Sequence, residues 1–334
     1  MRAQVQLLPG GRLHFHDGPI DLIIQAFGTR SAINNAYQAA SARFVTVLDE
    51  LCQELPLLRQ HPTNFTEASA QAAERHKNIA QGASPGETPQ QDQPQRGERP
   101  WTRHQELHGV IAKRMYTAVL PYAQNTFITP MAAVAGAVAD EILHSMTTTA
   151  NLTRAYVNNG GDIALHLAPG ESFTIGLIDR PDRPSLFGTT TLHHHHPTRG
   201  IATSGWRGRS FSLGIADAVT VLADTAAQAD AAATIIANAV DLPNHPAITR
   251  VPACSLAPDN DLGPRLVTQA VGHLTTNEIS AALEAGTIVT HSLIARHLVH
   301  SAALHLSGKT VVVGTADTHV GAAALGRPTE KIPA

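Results

Sequence analysis

Aromatic side chains are scarce in this chain, at 4% of 334 residues, and cysteine occurs only twice. Cys52 and Cys254 cannot build a disulfide framework, so the fold must rest on an ordinary apolar core. Charge is thin as well: charged residues make up 15%, the formal net charge is −3, and there is no long lysine or arginine run. Nucleic acids and anionic membranes are bound through a concentrated basic footprint. That footprint is missing, which leaves a small anionic molecule as the expected partner, with no nucleic acid and no membrane. No apolar run approaches the roughly 20 residues of a membrane-spanning helix, and no basic stretch leads into an apolar one at the N-terminus. A cytoplasmic protein is expected. What the chain does hold is 43% hydrophobic residues, enough for a sizeable core. Its Ala-rich helices are compatible with a homodimer.

Residues 3–27 alternate and break at Pro9-Gly10-Gly11 and Asp17-Gly18-Pro19, which predicts short strands joined by turns. From Ser31 to about Leu58 the apolar positions recur at three and four residues, predicting a helix with Ser31 as N-cap. Residues 72–103 are rich in Gln, Pro, Gly and Glu and poor in large apolar side chains, so they are expected to form a surface insertion. Helices are predicted at 107–120 and 130–144, the second dense in Ala and Gly, whose small side chains allow close approach to a neighbour. Strands are expected near 154–158, 163–167, 172–178 and 217–223, and a helix from Ala226 to about Val240. The last third reads as helices around 263–272, 276–285 and 290–304, then a Val-rich strand at 310–313.

Several constellations carry candidate chemistry. Asn158-Asn159-Gly160-Gly161-Asp162 joins two apolar strands, and paired glycines permit the positive φ and close backbone approach of a ligand-facing turn. An ordinary tight hairpin is the bland alternative. Asp230 and Thr234, four apart on a predicted helix, put a carboxylate and a hydroxyl on one face. Such oxygen donors suit Mg²⁺; a helix carboxylate serving the dipole is the alternative. Thr203-Ser204-Gly205-Trp206-Arg207-Gly208-Arg209-Ser210 combines hydroxyls, glycines and two guanidinium groups, a receptor for phosphate or carboxylate. Arg207 and Arg209 would share a side if that segment were extended. Asp217 either orients the loop or acts as a base. Asp259 and Asp261 flank Asn260 and are expected to cap a following helix, with a second carboxylate cluster at the cleft as the alternative. The run His193 to His196 is expected in an exposed loop. His14 with His16 and His104 with His108 share faces, and His291, His297, His300 and His305 are expected on helices.

Tyr156-Val157-Asn158-Asn159-Gly160-Gly161-Asp162-Ile163, Ala216-Asp217-Ala218-Val219-Thr220-Val221-Leu222-Ala223 and Asp230-Ala231-Ala232-Ala233-Thr234 together resemble the FAD:protein FMN transferases of the ApbE-like fold. Thr129-Pro130-Met131-Ala132-Ala133-Val134-Ala135-Gly136, Thr203-Ser204-Gly205 and Pro258-Asp259-Asn260-Asp261-Leu262-Gly263 are more similar to an uncharacterised family of ApbE-related proteins. The resemblance implies one α/β (α+β) domain over residues 1–334, with mixed sheets, packed helices and a central cleft. It also implies that the Gly160-Gly161 turn edges a flavin-nucleotide cleft, that Asp230 and Thr234 contribute to a Mg²⁺ site, and, more weakly, that FAD or FMN binds. Two departures stand out. Gly136 falls where the transferases carry a lysine, and the interval Phe211 to Asp217 lacks their His-x-x-Asp-Pro-x-x-Gly signature.

The sequence therefore predicts an enzyme acting on a small anionic, flavin-nucleotide-related substrate, a transferase or a hydrolase. Its expected ligand-binding set is Asn159, Gly160, Gly161, Asp162, Thr203, Gly205, Arg207, Arg209 and Ser210. Ser204 and Asp217 are the candidate catalytic residues, Asp230 and Thr234 the metal ligands. The alternatives are a non-catalytic ligand-binding protein, and a hydrolase or lyase that uses Ser204 or Asp217 without flavin.

Overall fold

The computed structural model describes residues 3–62, 107–178, 186–314 and 318–320. The expected insertion at 72–103, like His104, lies outside the described residues. The chain opens with β1 (Gln4–Leu8), β2 (Arg12–Asp17) and β3 (Ile20–Phe27), each antiparallel to the last. Along β3 the side chains alternate strictly, with Ile20, Leu22, Ile24 and Ala26 buried. That period of two makes one face a core face. Helix α1 (Arg30–Leu58) follows and covers it through Ala36, Ala40, Phe44, Val47 and Leu51. Its N-cap is Thr29 rather than the expected Ser31: the Thr29 hydroxyl accepts from the Ala32 amide at 3.2 Å, while Ser31 already lies in the first turn.

Two further helices, α2 (Val110–Val119) and α3 (Val134–Thr149), pack on the same side, α3 entered through a 3-10 turn at Pro130–Ala133. Then come β4 (Arg154–Asn159), β5 (Asp162–Leu167), β6 (Ser172–Ile178), β7 (Leu186–His193), β8 (Gly200–Ser204), β9 (Ala218–Ala223) and α4 (Ala226–Ala239). Strands β7 and β8 were not read from the sequence. The C-terminal part adds β10 (Ile248–Pro252), the short α5 (Ala253–Leu256), β11 (Leu266–Val271), α6 (Thr276–Ala295), β12 (Ser301–Leu306), β13 (Lys309–Gly314) and β14 (Thr318–Val320).

Among the described residues nine strands form one antiparallel sheet in the order β1-β2-β3-β4-β5-β8-β9-β12-β13. Helices α1, α3 and α4 cover one face, with α3 packed on both α1 and α4. The sheet β14-β7-β6 serves the other face, where Leu165, Leu167, Leu192, Ile201 and Leu222 form a second, smaller core with Phe173 and Ile175. Strand β9 is thus sandwiched and buried at every position. Helices packed on sheets give the α/β (α+β) architecture that was expected, although among the described residues every strand pair is antiparallel rather than mixed.

The structure corrects three predictions in the last third. Residues 266–271 form a strand paired with β10, not part of a helix. The two helices predicted at 276–285 and 290–304 are one, α6, started by a capping box between Thr275 and Glu278 and ended at Arg296, after which His297 turns the chain with φ 57°. His300 and His305 consequently lie at β12 rather than on a helix. Strand β12 is buried on both faces, so it shows no alternation and its apolar run fits either period. Asp259 and Asp261 cap no helix, because the next element is the strand Leu266–Val271: Asn260 Oδ1 accepts from the Leu262 and Gly263 amides at 2.8 and 2.9 Å, closing a loop, and Asp261 accepts from the Thr129 hydroxyl.

Candidate functional site

Strands β4 and β5 are joined by the two-residue turn Gly160-Gly161, with φ 66° and 117°. The second value is open to glycine almost alone. Asn158 Oδ1 accepts from the Gly161 amide at 2.9 Å, while the buried Asn159 points the other way and donates its Nδ2 to the Ala135 carbonyl at 3.1 Å. The turn is thereby fixed to the entry of α3. Asp162, the first residue of β5, accepts from the Thr203 amide of β8 at 3.2 Å, and the Thr203 hydroxyl bonds that of Thr220 at 2.9 Å.

Helices α3 and α4 cap each other. Asp230 of α4 accepts from the Gly136 amide at 3.0 Å, in the first turn of α3. Asp140 of α3 accepts from the Ala226 and Ala227 amides at 3.0 and 2.9 Å, in the first turn of α4. Each carboxylate supplies acceptors to amides that a helix start leaves unpaired, and meets the positive end of the dipole. Asp140 was not singled out in the sequence. Its position four residues after Gly136 was the available signal, since that spacing places both on one helix face.

Three carboxylates thus crowd one region. Burial pushes Asp140 up to about 6, opposed by the two amides it caps and by Arg114. Asp162 is pushed up to about 7, again chiefly by burial, with the Thr203 amide and the Arg209 charge working against it. Asp230 is raised well above the ordinary carboxylate range, by burial first and then by the like charge of Asp162; the Gly136 and Ala135 amides oppose the shift, and Asp140 adds to it. Two carboxylates that repel each other through a partly dry wall titrate as a pair. Thr234, one turn along α4 from Asp230, is partly buried and makes no side-chain hydrogen bond among the described residues.

The loop after β8 separates its two arginines. Arg207 donates Nε to Asp217 Oδ1 at 2.7 Å and lies over the Trp206 ring at 4.3 Å. Trp206 Nε1 donates to the same oxygen at 3.2 Å, and the Ser307 amide to Asp217 Oδ2 at 2.7 Å. Both oxygens of Asp217 are occupied in tying the loop to the end of β12. Arg209 instead lies against Gly160: a Cβ built there would stand 1.9 Å from Arg209 Nη2. The segment is a succession of turns, not extended, so the arginines do not share a side. Ser204 ends β8 partly buried, Gly205 is buried behind Asp217, and Ser210 is exposed.

The histidine run straddles the end of β7 and a turn. His194 bonds the Leu167 carbonyl at 2.7 Å, the His193 amide donates to His196 Nδ1 at 3.3 Å, and only His195 is exposed. A cavity of about 650 Å³ lined by His196, Leu222, Ile294, His297 and His300 lies at the opposite end of β8 and β9 from Asp162. It contains none of the paired acids. No helix among the described residues is long and apolar enough to cross a membrane.

A family model described as AbpE bacteria matches residues 5–89 and 87–312. The chain belongs to that family. The matched range carries the Gly160-Gly161 turn, the paired acids and both arginines. A UPF0280 protein of Methanopyrus kandleri is 38% identical over 128 residues, 38% of this chain and 48% of that one. The chain spans about half the length of the curated relatives it matches. Among solved structures, an ApbE protein of Thermotoga maritima aligns with TM-score 0.42 and 12% identity, covering 92% of this chain and 96% of that one. The apo flavinyl transferase ApbE of Pseudomonas stutzeri aligns with TM-score 0.39 and 11% identity, covering 95% of each chain.

Proposed function

We propose that this AbpE-family chain is an enzyme acting on a small anionic substrate of the flavin-nucleotide class, with a divalent cation held at Asp230 and Thr234. The observation that carries the reading is the pairing of Asp162 and Asp230 beside a bare glycine turn and a guanidinium group. The donors around the pair are oxygens only: two carboxylates and the Thr234 hydroxyl, which makes no side-chain hydrogen bond among the described residues. That set suits Mg²⁺ or Mn²⁺, which prefer oxygen and keep several waters. Asp230 is already oriented at the start of α3, where its carboxylate accepts from the Gly136 amide at 3.0 Å. Bound there, the cation would neutralise the pair and offset phosphate charge. Arg209 would orient the anionic end of the substrate, and the Gly160-Gly161 backbone would admit it closely.

The residue matched to the transferase lysine is Gly136, sealed against the backbone of Ala226, so any diphosphate contact must come from elsewhere. Arg209 is the group in reach of the turn. The reading that uses Asp217 as a base is less well supported, since its three hydrogen bonds already take up both oxygens.

Two measurements test the proposal. Titration with FAD or FMN in the presence of Mg²⁺ is expected to quench flavin fluorescence with saturation. Gly161→Val should weaken binding at least about tenfold, because φ 117° is strained for any side chain and no atom lies within 4 Å of where a Cβ would stand, so the side chain would enter ligand space. No saturable quenching up to about 1 mM, a binding free energy of only about 4 kcal/mol, would remove the flavin reading. Asp230→Asn keeps an acceptor for the Gly136 amide but removes the charge, so Mg²⁺ affinity is expected to fall about tenfold or more with far-UV circular dichroism unchanged. An unaltered metal titration would leave Asp230 as a helix cap and nothing else.

A further inference from the structure

We propose that the cavity of about 650 Å³ between the end of β7, the end of α6 and the start of β12 is a second ligand site, which takes a small organic carboxylate with an apolar body. It lies at the opposite end of β8 and β9 from Asp162, so its test is independent of the flavin and metal readings. Leu192, Leu222, Ile294 and Val299 supply apolar wall. A mostly apolar surface with a few placed polar groups, at this volume, is what small-molecule pockets have in common.

The observation that calls for a ligand is a hydroxyl. Thr198 lines the cavity, is only 3% exposed, and makes no side-chain hydrogen bond among the described residues. Buried polar groups are nearly always paired, and an unpaired one carries a desolvation cost. Ser301, 2% exposed and likewise without a side-chain hydrogen bond, borders both this cavity and a void of about 10 Å³. Neither oxygen is among the buried atoms sealed in protein without a partner, so each still faces open space.

The other polar groups of the wall are imidazoles, which keep at least one N–H in either protonation state. His196 Nδ1 accepts from the His193 amide at 3.3 Å, which leaves the proton of the neutral ring on Nε2. His300 is oriented by Asp224, whose Oδ1 accepts from its Nε2 at 2.8 Å. His297 is the unusual one. Helix α6 ends with the Leu298 amide on the Leu293 carbonyl and the His297 amide on that of Ile294, and His297 takes φ 57°. Glycine is the usual residue at that position, because a Cβ is strained there. The histidine that stands in its place lines the cavity, and its side chain makes no hydrogen bond among the described residues.

The charge behind this wall is positive. The Arg199 guanidinium donates to the carbonyls of His194, His196 and Thr198 at 2.7, 2.6 and 2.7 Å, fixing the turn that carries two of the lining residues. Burial lowers its pKa from the ordinary value, and no acid pairs with it among the described residues. None of the described lining residues is acidic either. Donors in front and an unneutralised cation behind favour an anion, while the apolar wall selects one that carries a hydrocarbon body.

Fluorobenzoate is the probe, followed by fluorine NMR line broadening on the full chain. Wild type and the exposed-histidine control His291→Ala are expected to bind it with Kd about 1 mM, the scale of a ligand of about ten non-hydrogen atoms. Thr198→Val and His297→Gly should each bind about tenfold more weakly, the loss of one hydrogen bond to a charged group. Their melting temperatures should not fall, since one change removes an unpartnered hydroxyl and the other places glycine where the backbone prefers it. A purely structural role for either residue predicts the opposite pattern, lower melting and unchanged affinity. Should Thr198→Val prove unstable, His297→Gly decides alone. Fluorobenzamide, neutral but of the same shape, is expected to bind at least about tenfold more weakly than fluorobenzoate, and inorganic phosphate not to displace the probe. Equal affinity in wild type and both cavity variants, or no saturable broadening up to about 20 mM, overturns the proposal. Equal binding of the amide, or displacement by phosphate, overturns the assignment of an apolar carboxylate.

Discussion

Gly136→Ala is expected to destabilise the protein by about 3 kcal/mol or more, the upper part of the range for overpacking a tight contact. The added Cβ would stand 2.2 Å from the Ala226 carbonyl oxygen, 2.4 Å from its carbon and 2.7 Å from the Ala227 nitrogen. All three are backbone atoms in the first turn of α4, so no side chain can rotate aside. Separating the helices would also stretch the bonds by which they cap each other, Asp230 on the Gly136 amide and Asp140 on Ala226 and Ala227. In a chain of this size the loss corresponds to a fall in melting temperature of roughly 4–6 °C. Gly263→Ala is the control: its φ of 59° is unfavourable for alanine but nothing lies within 4 Å, so the cost should stay near 1 kcal/mol. Equal melting temperatures for wild type and Gly136→Ala would mean that α3 and α4 do not meet at this glycine.

Asp162→Asn should abolish the pH dependence that the buried acid imposes. The carboxyl of Asp162 has its ordinary value of 3.8 in the unfolded chain and about 7 in the folded one. Between those limits the folded state binds more protons than the unfolded state, so stability falls as pH rises from about 4 to about 7. The contribution is complete below the unfolded value and gone above the folded one. Asparagine retains an acceptor for the Thr203 amide but carries no charge at any pH, and it also relieves Asp230 of its like-charged neighbour. The variant is therefore expected to be more stable than wild type at pH ~8 by about 1–3 kcal/mol, with discounting for partial solvent access, and nearly equal at pH ~4. Urea unfolding at both pH values measures it. A difference between the proteins that does not change with pH would show that Asp162 ionises as it does in water.

These two variants sit on or beside features that were both legible in the sequence. The Ala- and Gly-rich stretch around Gly136 announces a helix that approaches something closely, because small residues have no other use in so long an apolar run. The Gly160-Gly161 turn is equally readable, since two apolar strands separated by two glycines have few alternatives. The alternating segments up to Phe27 and the helix from Arg30 to Leu58 emerge as predicted, apart from the cap at Thr29. Where a strand is buried on both faces, as in β12, alternation vanishes and the reading slips to helix. Segments 266–271 and 301–306 show that a short apolar stretch fits either period until a partner strand is known.

By itself the sequence determined the local geometry and the chemical inventory: where the backbone turns, which faces are apolar, and that the conspicuous donors are oxygens and guanidinium groups rather than thiols. Such properties depend on neighbours within a few positions, and their periods survive in the linear order. The tertiary structure decided which of those groups meet. Asp162 reaches Thr203 because β5 pairs with β8 across the intervening β6 and β7. Asp230 reaches Gly136, and Asp140 reaches Ala226, because α3 and α4 pack at a glycine. Arg207 and Arg209 part because their loop turns instead of extending, one drawn to Asp217 and the other to the glycine hairpin. Each of these depends on residues far apart in the chain, brought together by burial of apolar faces that carry no information about the polar groups at their edges.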